Sequence, residues 1–213
     1  MKEINFDIVF DSQKIFRILL NAFAHPGKVV EISDLKIAPP LNVSRASCGI
    51  LFTLLDLEVG FSVCASNKRQ KEKIEEYFII NTGCRLETIE SADFILVLGE
   101  LPQLERIKRG SLEYPDQGAT VIYSVEEIDE PRPGTQGRGE SLSEIGSLTL
   151  TLTGPGINGK KVLSVKGLKK QEVMKIIEVN KEFPLGADFV FVGRKDKFFA
   201  LPRSTKIVEV KEI

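Results

Sequence analysis

Histidine occurs once in the 213 residues of this chain, cysteine three times and tryptophan not at all. The shortage of histidine and cysteine argues against a structural zinc site. A structural zinc site draws four closely spaced Cys or His ligands. Here Cys48, Cys64 and Cys84 stand far apart, with no Cys-x-x-Cys pair. Three scattered thiols fit a reducing compartment. A surplus of one charge is also missing. Lys and Arg number 29, Asp and Glu 30, and the net charge is −1. A protein that coats nucleic acid or an anionic membrane is basic, so neither partner is expected. Long apolar runs are missing too. The opening "MKEINFDIVFD" carries Glu3, Asp7 and Asp11 where a secretory signal is apolar. Asn21 and Asp56 interrupt apolar stretches well short of the roughly 18 residues a membrane helix needs. These absences predict a soluble, cytoplasmic protein of bacterial type.

What is present is ordinary globular composition. Hydrophobic residues make up 42% of the chain and glycines number 17, so about half the residues are apolar. The length predicts one domain over residues 1–213. A helix is expected from Asp11 or Ser12, as cap, to the stop at "HPG", His25–Gly27. Its apolar residues, among them Phe16, Leu19, Leu20 and Phe23, cover about 200° of the wheel, wider than the roughly 100° stripe of a one-sided helix. A second helix over residues 44–56 is apolar nearly all round. Each large apolar side chain left in water forgoes about 1.5–3 kcal/mol of burial. Both helices therefore either lie inside a layered fold or carry a subunit interface, and a subunit interface using one or both is expected. The helix at 169–181 is mostly one-sided, with Val173, Met174, Ile176 and Ile177 in its stripe.

Strands are expected at "KVVEI", "VGFSVCA", "ADFILVLG", "ATVIYSV", "SLTLTLT", "KVLSV" and "ADFVFVG". Continuous apolar runs such as "FILVL" and "FVFV" belong in a sheet covered on both faces. The alternation in "SLTLTLT" gives one wetter face. Strands interleave with helices early and pair as hairpins later, which predicts an α/β, three-layer fold with a mixed sheet. The repeated Ala-Asp-Phe openings at residues 92–94 and 187–189 are best explained as two buried strands with similar entry chemistry. A long Gly/Pro-rich loop at about 126–147 is the expected mobile or partner-docking segment.

Several motifs are compatible with ligand chemistry. "GTQGRGES" at 134–141 looks like a phosphate loop but lacks the Gly-Lys-Ser/Thr ending. His25 has no partner at triad spacing, and its place after a helix end is explained by the dipole. Lys195 and Lys197, with Asp188, would be needed for a pyridoxal phosphate site, yet "RKDK" reads as a charged turn. Arg203, Ser204 and Thr205 set a guanidinium beside two hydroxyls, a phosphate- or carboxylate-binding set; the alternative is an arginine paired to an internal carboxylate. In "LTGPGINGKK", Asn158-Gly159 is a type I′ hairpin signal. Gly154 and Gly156 supply positive φ for a bulge, and their N–H groups are candidates for an anion nest, from which Pro155 withholds a donor.

"FRILLNAFAHPG", "CGILFTLLD", "ADFILVLG", "PDQGATVIY", "LTGPGI", "NKEFPLGADFVFV" and "ALPRST" occur in this order. The ordered set resembles the H-subunit (PhnH) family of the bacterial carbon–phosphorus lyase system. His25 departs from the arginine expected there. The resemblance implies a fold like that of pyridoxal phosphate-dependent transferases, without the cofactor, and a homodimer when isolated. It implies an accessory role beside the G, I and J subunits in forming ribose 1-phosphonate 5-triphosphate from ATP and a phosphonate. Radical C–P cleavage belongs to the J subunit and its iron–sulfur cluster, for which this chain lacks clustered cysteines. No catalytic residue, cofactor or metal is carried over. The phosphate-binding candidates remain Arg203, Ser204, Thr205, Gly154 and Gly156, for a phosphate-bearing ligand such as nucleotide or phosphonate.

Overall fold

A computed structural model describes residues 5–101, 103–130 and 146–212. The most apolar segments form a seven-stranded mixed sheet in the order β1-β10-β9-β5-β4-β2-β3. Its parallel members are β2 (Gly60–Ala65), β3 (Arg85–Leu86), β4 (Phe94–Leu98), β5 (Thr120–Ser124) and β9 (Asp188–Val192). At the other edge β10 (Lys197–Leu201) runs antiparallel to β9, and β1 (Val30–Glu31) antiparallel to β10. The interior of "FILVL" and "DFVFV" is buried on both faces, because side chains alternate across a strand.

That alternation divides the core. Leu96, Ile122, Val190 and Phe198 face one layer, with α1 (Phe10–Ala24), α2 (Arg45–Leu54) and α3 (Lys68–Thr82). Ile95, Tyr123, Phe191 and Phe199 face the other. There the covering layer is a four-stranded antiparallel sheet, order β11-β7-β8-β6, together with α4 (Lys170–Val179). Its strands are β6 (Glu127–Asp129), β7 (Ser147–Thr153), β8 (Lys161–Lys166) and β11 (Lys206–Glu212). The expected three layers and mixed sheet are present, and one outer layer is itself largely sheet. Phe191 and Phe199 stack at 4.9 Å between ring centroids. Burying each phenyl contributes about 1.5–3 kcal/mol.

The two over-apolar helices resolve differently. In α2 every residue from Ala46 to Phe52 is buried, so its apolar surround is explained by the layering. Ser44 caps it by accepting from the Ser47 N–H at 3.0 Å. The Asp196 carboxylate, in the turn between β9 and β10, accepts from the Ala46 N–H and binds Arg45. Helix α1 buries Ile15, Leu19 and Ala22 but leaves Phe16 46% and Leu20 52% exposed. Its N-cap is Val9, which makes no side-chain cap bond; Asp7, just before it, accepts from the Val9 and Phe10 N–H groups, and neither Asp11 nor Ser12 is the cap. The stripe of α4 is buried at Val173 and Ile176, while Met174 stays exposed.

Two expectations change. The connection of β7 to β8 is no two-residue type I′ turn. Leu152 pairs with Lys161, and the positive-φ residues between them are Gly154, Gly156 and Gly159, without Asn158. Part of the expected 126–147 loop is strand β6, which pairs with β8. Residues 134–141, the phosphate-loop look-alike, lie outside the described residues.

Candidate functional site

The sequence motifs converge at the end of the sheet where β9 begins and β10 ends. Asp188 opens β9, and Pro202 stops β10 because it offers no N–H to a ladder. The chain then turns through Arg203, Ser204 and Thr205, with the Thr205 N–H donating to the Pro202 carbonyl at 2.8 Å. Arg203 is paired to an internal carboxylate. Its Nε donates to Asp188 Oδ1 at 3.3 Å, its Nη2 to Oδ2 at 2.6 Å, and its backbone N–H to Oδ1 at 2.8 Å. Nη1 donates to the Pro115 carbonyl. The side chains of Arg203 and Asp188 are only 13% and 23% exposed. Removing one member of such a buried pair costs about 3–5 kcal/mol. A guanidinium has five N–H donors, and among the described residues two of them have no partner.

The glycines of the motifs are the spaces that this packing needs. A Cβ on Gly118 would strike the Gly186 carbonyl and the Arg203 guanidinium. A Cβ on Gly154, at φ 145°, would lie 3.1 Å from the Ser204 carbonyl and 3.2 Å from Thr205 Cα. At Gly156, φ 81°, it would meet the Ala24 carbonyl and approach Pro26 Cδ to 2.9 Å. So "LTGPGI" is clamped between "AHPG" and "ALPRST". Arg203, Ser204, Thr205 and Gly154 come together; Gly156 faces the end of α1 instead. His25, exposed at that end, sets Nδ1 3.0 Å from the Asn21 carbonyl, a helix-terminal contact.

Beside this clasp lies a cleft of about 580 Å³ between α4 and β11, lined by Pro155, Phe183, Arg203, Ser204, Thr205 and Lys206 among others. Thr205 is 5% exposed, and its Oγ1 has no hydrogen-bond partner among the described residues. Sequence reasoning missed Asp188 as the partner of Arg203. The repeated Ala-Asp-Phe was the available signal: Asp93, just before β4, is likewise held by a cation, Lys108 at 2.6 Å. Asp188 and Lys195 are not brought together. They flank opposite ends of the five-residue strand β9, and a strand rises about 3.3 Å per residue. Lys195 donates instead to Glu127 at 3.1 Å.

Fold and clasp together define a layered α/β protein in which "PDQGATVIY", "LTGPGI", "NKEFPLGADFVFV" and "ALPRST" meet at one part-buried ion pair. Comparison with known proteins gives that class its family. Residues 5–208 match the family of bacterial phosphonate metabolism proteins, PhnH. A Stutzerimonas stutzeri protein described as the C–P lyase subunit HtxG is 32% identical over 195 residues, covering 92% of this chain and 85% of that protein. The alpha-D-ribose 1-methylphosphonate 5-triphosphate synthase subunit PhnH of Rhizobium meliloti (strain 1021) is 28% identical over 205 residues, 94% of this chain and 92% of that protein. The chain belongs to the PhnH family.

Proposed function

We propose that this chain is an accessory subunit of the carbon–phosphorus lyase core complex in organic phosphonate catabolism. In that role it contributes to forming ribose 1-phosphonate 5-triphosphate from ATP and a phosphonate, and is not catalytic alone. The carrying observation is the family match, which runs from residue 5 to residue 208 and includes every motif packed around the Arg203–Asp188 clasp. Its partners are the G, I and J subunits, and a second copy of itself when isolated. The open flank of α1, with Phe16 and Leu20, supports the self-association. Phe16 and Leu20 are about half exposed, so covering each regains about half of the roughly 1.5–3 kcal/mol of a full burial. No helix among the described residues is long and apolar enough to cross a membrane, which agrees with a cytoplasmic complex. The parallel strands flanked by the antiparallel pair β10 and β1 support a fold of the pyridoxal phosphate-transferase type. An independent pyridoxal enzyme is the weaker reading, given the separation of Asp188 from Lys195.

The test is growth. A strain lacking its own H subunit but carrying the other subunits should use methylphosphonate as sole phosphorus source when this chain is supplied. Failure of a well-expressed chain to restore growth, with the strain's own subunit restoring it, contradicts the proposal.

A further inference from the structure

We infer that the cleft between α4 and β11 binds a small organic anion with a flat apolar body, of the phosphonate or phosphate-ester class. The inference rests on the phosphonate reading above only for the choice of anion. Volume comes first. About 580 Å³ lies within the roughly 300–1,000 Å³ of small-molecule sites, which pair apolar walls with a few convergent polar groups.

The walls sort by chemistry. Ile177, Ile207, Val208 and Phe183 form the apolar side. Phe183 is 63% exposed and Val208 51%. An open phenyl ring offers a face on which a planar ligand can stack. The polar end is the turn that leaves β10, with Arg203, Thr205 and Lys206. The charged residues lining the cleft are Lys181, Arg203 and Lys206, with no carboxylate among them. Asp188 neutralises much of Arg203, yet two of its N–H groups have no partner among the described residues. The field at this end therefore favours an anion, and the available N–H and O–H groups suit its oxygens.

Thr205 is the observation that a bland account does not absorb. It is 95% buried by complement of its 5% exposure, lines the cleft, and its hydroxyl has no partner among the described residues. A buried unpaired hydroxyl destabilises a fold. Valine would have the same shape without that cost. The hydroxyl oxygen is closed to solvent in the unliganded chain, so an anion oxygen entering beside the turn becomes its partner when the turn's side chains shift to admit it.

The experiment is calorimetric titration of the isolated full chain with phenylphosphonate, methylphosphonate and inorganic phosphate. Phenylphosphonate should bind saturably, and about tenfold or more tighter than either smaller anion, about 1.4 kcal/mol or more. Thr205→Val and Lys206→Ala should each weaken it about fivefold or more, while Thr205→Val melts no lower than the parent. Phe183→Ala should weaken phenylphosphonate and leave methylphosphonate unchanged. Absence of saturation up to about 10 mM, a free energy weaker than about −2.7 kcal/mol, overturns the inference. So does binding that all three variants leave unchanged. Loss of partner-subunit co-purification in Phe183→Ala without any phenylphosphonate binding also overturns it, and makes the cleft a protein-docking groove. Growth complementation is read separately, so a failed titration with restored growth rejects the site and keeps the subunit assignment.

Discussion

Replacing Gly156 by alanine tests the clamp that joins the motifs. Two costs add at this position. Its φ of 81° lies in the left-handed region, where an alanine loses about 1–2 kcal/mol. The new methyl also meets the Ala24 carbonyl and comes within 2.9 Å of Pro26 Cδ. Backbone and a proline ring yield poorly, and overpacking costs about 1–3 kcal/mol. The sum is about 2–5 kcal/mol. For a chain of this size each kcal/mol lowers Tm by about 2–4 °C, so a fall of about 4–20 °C is expected in thermal denaturation. Gly159 supplies the control. It has φ 75°, but nothing lies within 4 Å of its would-be Cβ. Gly159→Ala should therefore show only the conformational part, about 1–2 kcal/mol. Equal destabilisation by the two substitutions would refute the contact between "LTGPGI" and the end of α1. If Gly156→Ala folds but no longer assembles with partner subunits, the turn is an interface element as well.

Three further outcomes follow from the packing. Glu172 is 8% exposed and accepts from the Leu101 N–H at 3.2 Å and from the Tyr123 hydroxyl; Glu172→Ala strands the Leu101 N–H, while the Tyr123 hydroxyl keeps the Gly99 carbonyl at 2.9 Å, and should cost about 1–3 kcal/mol in urea unfolding. Burial pushes the Asp93 carboxyl up, but Lys108 and the Gly60 N–H outweigh it and hold it below the usual carboxylate range. Its contribution is thus complete above the unfolded value near about pH 4 and lost as pH falls through the folded value. Lys108→Ala should move acid unfolding to higher pH, and an unmoved midpoint refutes the pair's role. Burial raises the Cys48 thiol to about 12 despite its hydrogen bond with Tyr77, and Cys64 to about 11. A thiol reagent at pH 8 should label these cysteines only after unfolding, since the thiolate is the reactive form; prompt labelling of the native chain contradicts the burial.

Much of this fold is legible in local pattern. Buried strands β4, β5 and β9 declare themselves as apolar runs, and α1, α2 and α4 through their periodicity and punctuation. What escapes is set by distant partners. Helix α3 buries only Ile74 and Phe78, a single i, i+4 pair in a charged stretch, so its sequence resembles a solvated segment. Strand β6 was hidden in a polar stretch because its ladder comes from β8. For α2 the wide apolar arc suggested a subunit interface as readily as burial, and the layer that covers Ala46 to Phe52 comes from distant segments. At the site, the cluster Arg203, Ser204 and Thr205 was readable. Its commitment to Asp188, 15 residues earlier, was not, because the hairpin of β9 and β10 makes that contact. Nor does any local pattern announce the cleft, whose walls come from α4, β11 and the turn at Phe183.

The most direct test of the central claim is co-expression of tagged chain with the G, I and J subunits of the same phosphonate system, followed by affinity purification and gel filtration. The account predicts that all four elute together in a fixed ratio. Elution of the folded chain alone, while the other three assemble without it, would contradict its place as a subunit of that complex.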